Sequence, residues 1–152
     1  MDKIKVLFVC IHNSARSQMA EALLQKLGGE VFEVESAGLE PGILNPLAVE
    51  VIKEIGIDIS GKKTQSVFEL FKRGRTYHYV VAVCDGANAE RCPIFPGAAQ
   101  RINWSFEDPS KFQGSWEEKL EKTRKVRNTI EKTVEDWLVS IKQTALWRTC
   151  GK

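Results

Sequence analysis

The segment Cys10-Ile11-His12-Asn13-Ser14-Ala15-Arg16-Ser17 sets a thiol, a guanidinium and a hydroxyl in the spacing Cys-x5-Arg-Ser. An apolar run precedes it and a helical pattern follows it, so the loop is expected at a strand-to-helix turn. Such a turn makes a cradle for a tetrahedral oxyanion. Successive backbone N–H groups point inward, and the helix dipole favours negative charge. The backbone from Ile11 through His12, Asn13, Ser14 and Ala15 to Arg16 and Ser17 is the expected lining. Arg16 can offer two parallel donors to two oxyanion oxygens. The same field favours the thiolate of Cys10, the form that attacks. Ser17 can donate a hydrogen bond to that thiolate.

Two further cysteines, Cys84 and Cys92, enclose Asp-Gly-Ala-Asn-Ala-Glu-Arg. That spacing suits neither a zinc knuckle nor a Cys-x-x-Cys pair. In one regular helix their Cα atoms would stand about 12 Å apart along the axis, whereas a disulfide needs them within about 7 Å. A bond between them therefore demands a looped segment, and Gly86 and Asn88 permit one. Asp108-Pro109 supplies a carboxyl that can hand a proton to a leaving group, with Glu107 as the rival acid.

The elements that must position these groups alternate between strand and helix, which predicts a parallel sheet with helices on both faces. Ile4 to Val9 is almost wholly apolar, as is Tyr77 to Val83, and both read as strands buried on two faces. Val31 to Ser36 alternates, and Arg101 to Trp104 is short and polar, so these are expected edge strands. A helix from Ser14 shows Ala20, Leu23, Leu24 and Leu27 on one face and stops at Gly28-Gly29. Asn45-Pro46 starts a second helix, with Leu47, Val51, Ile52 and Ile55 inward and Gly56 at its end. A short helix is expected from Ser66 to Lys72. A long amphipathic one is expected from Ser115 to about Gln143, through Trp116, Leu120, Ile130, Val134, Trp137 and Ile141.

Two buried and two edge strands give the order 2-1-3-4. Ligands bind at the C-terminal strand ends where such an order switches, here between strands one and three. Cys10 ends the first of these strands and Cys84 the other. Parallel neighbours lie about 4.8 Å apart, so Cys84 has two candidate partners, Cys10 and Cys92. That arrangement suits a relay passing oxidation outward from Cys10 to a surface pair.

The 152 residues, 43% hydrophobic and 28% charged, fit one globular domain, 1–152, without repeat or linker. A net charge of +2 gives no electrostatic case for nucleic acid or an anionic membrane. No apolar run reaches the length of a membrane span. The run Ile4 to Ile11 is too short for a signal segment, so a cytoplasmic protein with reduced thiols is expected. His12 and His78 are the two histidines, too few for a Cys/His zinc site, and no metal is expected.

The stretch VCIHNSARSQMAEALL resembles the opening of the low-molecular-weight tyrosine phosphatase superfamily. Its part Ser17-Gln18-Met19-Ala20-Glu21 is similar to the thioredoxin-coupled arsenate reductase branch. The resemblance runs through Asp108-Pro109 into the final helix. It implies a flavodoxin-like four-stranded parallel sheet of order 2-1-3-4. It implies that Cys10 attacks arsenate, with phosphate or sulfate as mimics, and that Cys84 attacks Cys10 and releases arsenite. Cys92 then captures Cys84, and thioredoxin, or alternatively a glutaredoxin or small thiol, reduces that disulfide. Asp108 matches the general acid.

This chain departs from the common pattern at His12, where many members carry glycine, and at Ala15, where many carry a second cysteine. It also has one residue more between the last two cysteines. Cys150 is read as a spare thiol. Some similar reductases hold a potassium ion behind the loop. Asn13, Glu21 and Ser36 match its ligand positions, but Gln65 stands where an aspartate is expected, so no required cation or other cofactor is expected. Two rivals remain. A tyrosine-phosphatase-like enzyme would use Cys10 and Asp108 and need neither Cys84 nor Cys92. A non-catalytic anion-binding or redox-sensing module would need no Asp108.

Overall fold

The computed structural model describes residues 3–97 and 100–142. Four strands, β1 (Ile4–Cys10), β2 (Phe32–Gly38), β3 (Tyr79–Ala82) and β4 (Gln100–Asn103), form one parallel sheet in the order β2-β1-β3-β4. This is the order expected from the apolar content of the strands. The helices are α1 (Arg16–Gly28), α2 (Pro46–Lys53), α3 (Val67–Lys72), α4 (Gly86–Ala89) and α5 (Trp116–Ile141), with a 3-10 turn over Pro109–Lys111.

The strand pleat sends alternate β1 side chains to opposite faces. Ile4, Val6, Phe8 and Cys10 pack with α1, α2 and α5 in one apolar cluster. Leu7 and Val9 pack on the other face with Val67 and Leu70 of α3, Tyr77, Cys92 and Phe95. Helices thus cover both faces, which is why β1 reads as an apolar run broken only by the exposed Lys5. Local chemistry fixes the helix starts. Asn45 Oδ1 accepts from Leu47 N at 2.9 Å and Pro46 follows it. Ser66 caps α3, and Ser115 with Glu118 forms a capping box on α5. Gly56, at φ +87°, turns the chain after α2.

Several boundaries and faces differ from expectation. β2 runs on to Gly38, whose N–H donates to Gln65 O at 2.8 Å. β3 is shorter than its apolar run, although His78 N and Val83 N still donate to Lys5 O and Val9 O of β1 at 2.9 and 2.8 Å. β4 starts one residue earlier, at Gln100. Leu27, on the last turn of α1, is 38% exposed. Trp116, the first residue of α5, is 47% exposed. The buried stripe of α5 instead includes Thr123 and Val126. Trp137 stacks on Phe32, Tyr79 and Trp104 with centroids 5.3–5.9 Å apart. The expected helix end at Gln143 and Cys150 lie outside the described residues. Among the described residues no helix is long and apolar enough to cross a membrane.

Candidate active site

The loop from Cys10 to Ala15 leaves the C-terminal end of β1 and enters α1. Its carbonyls face outward and are engaged there. Leu39 N, Glu40 N, Gly42 N and Asn45 N donate to the carbonyls of Cys10, Ile11, His12 and Ser14 at 2.7–3.0 Å. Gln18 Nε2 donates to Asn13 O at 3.2 Å. A loop whose oxygens are tied outward turns its N–H groups inward, the polarity an anion cradle needs. Asn13 N already points there, donating to Cys10 Sγ at 3.1 Å. Asn13 adopts φ +55°, a left-handed conformation that asparagine tolerates better than most side chains.

Gly38 makes this wrapping possible. A Cβ there would stand 2.8 Å from Asn13 N, 2.9 Å from His12 C and 2.9 Å from Ile11 O. The β2 backbone therefore lies directly under the loop. Gly38 was not singled out from the sequence. Its only signal there was a glycine at the end of an alternating strand.

Behind the thiol runs a buried polar chain. Asn13 Nδ2 donates to Ser17 Oγ at 2.7 Å and to Ser36 Oγ at 2.9 Å. Ser36 Oγ lies 2.6 Å from Glu21 Oε1 and donates to it. Gln65 N and Gln18 Nε2 donate to Asn13 Oδ1 at 3.1 and 3.3 Å, which fixes the orientation of the amide. Ser17 Oγ, already an acceptor from Asn13, lies 2.9 Å from Cys10 Sγ and has its own proton for the sulfur. The expected Ser17–Cys10 contact is therefore present, held by Asn13.

The position behind the loop does not suit a cation. Lys62 pairs its ammonium with Glu21, and the Gln18 amide covers Asn13 O and Oδ1. Gln65 Nε2 donates to Ser36 O at 2.9 Å, an amide where a carboxylate would be wanted. Lys62 was not assigned this role from the sequence, because it meets Glu21 across 41 residues; the Gln18–Asn13 contact is local, but nothing in the sequence singled it out.

Arg16 is 6% exposed at the first turn of α1. Its Nη2 donates to Asp108 Oδ2 at 3.3 Å and its Nη1 to Phe106 O at 3.4 Å. Asp108 Oδ1 accepts from Ser110 N and Ser110 Oγ at 2.9 and 2.8 Å, capping the 3-10 turn. The structure thus brings Asp108 to Arg16 at the mouth of the loop. Glu107 is exposed on the α5 side, beside Lys122 and Lys125. His12 turns out of the cradle: its ring is exposed, with Nδ1 2.9 Å from Glu40 O. Ala15 is buried in the core behind the loop.

Cys10, Cys84 and Cys92 are free thiols, and all are buried. Val9 pairs with Ala82 across β1 and β3, so Cys84 stands just past the strand end next to that of Cys10. Burial pushes the Cys84 thiol up from its usual range and the Cys10 sulfur adds to this, while the Arg16 guanidinium opposes it. The segment 84–92 contains the short helix α4, capped by Asp85, whose Oδ1 accepts from Asn88 N at 2.9 Å. Cys92 was expected at the surface. It is instead 4% exposed, among Leu70, Tyr77 and Phe95 on the opposite face of the sheet from Cys10 and Cys84. Its thiol is pushed up to about 11, chiefly by burial, with the Arg101 guanidinium pulling the other way. Among the described residues, no group of three or more His, Cys, Asp or Glu side chains could hold a metal ion.

A thiol on an anion loop, an arginine and aspartate at its mouth, a second thiol at the adjacent strand end and a third across the sheet supply the groups for nucleophilic attack and thiol exchange. The comparisons agree with this geometry. An arsenate reductase of Halalkalibacterium halodurans is 42% identical over 135 residues, 88% of this chain and 94% of its own length. A solved arsenate reductase in the phosphate-binding state superposes with a TM-score of 0.73 at 32% identity, covering 91% of this chain and 98% of that one. Arsenate reductase structures in reduced, oxidised and intermediate states match with TM-scores of 0.73, 0.71 and 0.68. A thioredoxin-dependent arsenate reductase of Corynebacterium glutamicum matches at 29% identity with a TM-score of 0.61, covering 88% of this chain and 62% of that one. The pattern of the low molecular weight phosphotyrosine protein phosphatases matches residues 5–146, and the chain belongs to that family.

Proposed function

We propose that the chain reduces arsenate to arsenite in the cytoplasm, through a thiol–arsenate adduct on Cys10 and a relay through Cys84 and Cys92. The observation that carries this reading is the meeting of two free thiols, Cys10 and Cys84, at the adjacent strand ends beside the anion loop, with a third free thiol, Cys92, at the far end of the segment that Cys84 begins. A phosphatase needs only the first. The similarity to arsenate reductases over most of the chain supports the choice of substrate.

Arsenate enters the loop and draws Arg16 from Asp108 onto its own oxygens. The N–H groups from Ile11 to Ser17 take the remaining charge. Asp108, its Oδ2 freed by the movement of Arg16, takes up a proton from the Cys10 thiol or from the entering arsenate. Cys10 Sγ attacks arsenic, and an arsenic-bound hydroxyl leaves as water with that proton from Asp108. Cys84 loses its proton and attacks Cys10 Sγ. The sulfur–sulfur bond forms, the electron pair of the sulfur–arsenic bond stays on arsenic, and arsenite departs. Cys92 then attacks Cys84 and releases Cys10 as thiolate. A dithiol, with thioredoxin as the reading favoured by the Corynebacterium relative, reduces the Cys84–Cys92 disulfide.

The test is arsenate-dependent NADPH oxidation with thioredoxin and its reductase, with aryl phosphate hydrolysis measured alongside. The expected result is sustained turnover of the parent. Cys92→Ser should release one arsenite per chain and stop with Cys10 bonded to Cys84. Full coupled turnover by Cys92→Ser would overturn the three-thiol relay. Phosphatase activity without arsenate reduction would assign the chain to the other branch.

A further inference from the structure

Cys92 is the least prepared of the three thiols. It is packed among apolar side chains, and its hydrogen faces Pro93 O at 3.6 Å. A sulfur in that state is a poor nucleophile. The charged and titratable groups about it are few. Glu90 lies along the same groove, beside Ala89. Arg91 is turned away into a pair with Glu40 at 2.8 Å. Tyr77, in the same apolar cluster, is tied to Glu35 at 3.3 Å. Cys84 lies near enough to oppose the ionisation of Cys92. The remaining group is Arg101, on the edge strand β4.

Arg101 Nη2 donates to Ala89 O at 3.2 Å and to Cys92 O at 3.4 Å. The first contact is what the end of a short helix requires. The second reaches past the helix to the cysteine. Arg101 and Cys92 line the same groove, and the guanidinium charge there favours the Cys92 thiolate. A helix cap alone would not need to reach past Ala89 O to the carbonyl of Cys92.

We propose that Arg101 is the positioning residue for Cys92, anchoring the end of the 84–92 segment and lending its charge to the sulfur as it becomes a thiolate. The proposal rests on the reading of Cys92 as the third thiol of the relay. In that step Cys92 gives its proton to solvent and its sulfur attacks Cys84. The Cys84–Cys92 bond forms, the Cys10–Cys84 bond breaks, and the electron pair leaves on Cys10. No oxidant or further reductant is consumed. Arg101 serves the incoming sulfur at one side of the sheet as Arg16 serves the outgoing one.

The test follows the pH dependence of Cys92 alkylation by iodoacetamide in a chain carrying Cys10→Ser and Cys84→Ser. Peptide mass spectrometry separates Cys92 from Cys150. Arg101→Gln should move the Cys92 profile up by about one pH unit, the lower end of what a nearby opposite charge does. Arg101→Lys should restore most of the shift, because it keeps a charge without the fork. With the three cysteines intact, Arg101→Gln should leave the first arsenite release unchanged and slow steady turnover about tenfold. Superimposable Cys92 profiles in parent and Arg101→Gln would overturn the proposal, as would equal loss of the first release and of turnover. If Cys92→Ser itself turns over fully, the relay fails, while the alkylation profile still decides whether Arg101 governs Cys92.

Discussion

Gly38→Ala should damage the anion loop without touching any group that does chemistry. The new methyl would sit 2.8–2.9 Å from Asn13 N, His12 C and Ile11 O. Real Cβ contacts seldom fall below about 3.4 Å, so each contact overlaps by about half an ångström. All three obstructing atoms are backbone, so no side chain can rotate away. Overpacking of this kind typically costs about 1–3 kcal/mol. Part of the loop must lift, and with it the N–H groups that line the cradle. If that cost falls on the anion-competent conformation, affinity drops roughly 5- to 150-fold. Phosphate binding by calorimetry and arsenate KM both read this. Urea unfolding reports the share borne by global stability. Gly61→Ala is the control, since nothing lies within 4 Å of a Cβ built there. Parent-like phosphate affinity and stability in Gly38→Ala would refute the claim that β2 is the floor of the loop.

Asp108→Asn should lower turnover by about 10²–10⁴-fold while anion affinity holds or rises, because Arg16 loses its charged partner. Glu107→Gln should change little, and the reverse pattern would move the acid to Glu107. At pH 7 to 8, iodoacetamide should label Cys10 before Cys92, and phosphate should protect Cys10. Cys92 labelling ahead of Cys10 would contradict the burial that holds its proton to about 11. Because that folded-state value lies above the usual thiol range, the folded chain keeps a proton that the unfolded chain loses. Stability from this group is therefore full below about pH 9 and lost as pH rises toward 11. Urea unfolding of Cys92→Ala should show a shallower decline over that window, and parallel curves would refute this.

Much of the frame could be read from residue types. The almost wholly apolar runs around Val6 and Val80 mark strands covered on both faces, and the polar pattern at Arg101 marks an edge. Those facts give the sheet order, and the order gives the place of Cys10 and Cys84. The loop motif was legible because its chemistry is local, within eight successive residues. What escaped reading depends on long-range approach. Gly38 matters only because the loop lies on it, and Lys62 matters only because it meets Glu21. Cys92 follows a polar stretch and precedes proline, which reads as surface. Its burial comes from Phe95, Tyr77 and Leu70, contributed by other segments. Trp116 misled for a related reason: periodicity records the face of a helix and not how much of that face other segments cover.

The burial of Cys92 also governs how the protein meets reactive chemicals. A thiol held to about 11 is ionised in roughly one molecule in 10⁴ at pH 7. Peroxides and electrophiles attack the thiolate, so Cys92 is nearly invisible to them, and Cys84 is shielded in the same sense. Among the three described thiols, oxidation is thereby directed away from Cys84 and Cys92 and toward Cys10. A peroxide that finds Cys10 forms a sulfenic acid, and the neighbouring Cys84 can trap that as a disulfide before it is oxidised further. The apolar pocket around Cys92 is thus a chemical safe for the last reducing equivalent, and a chain short of arsenate keeps the means of its own repair.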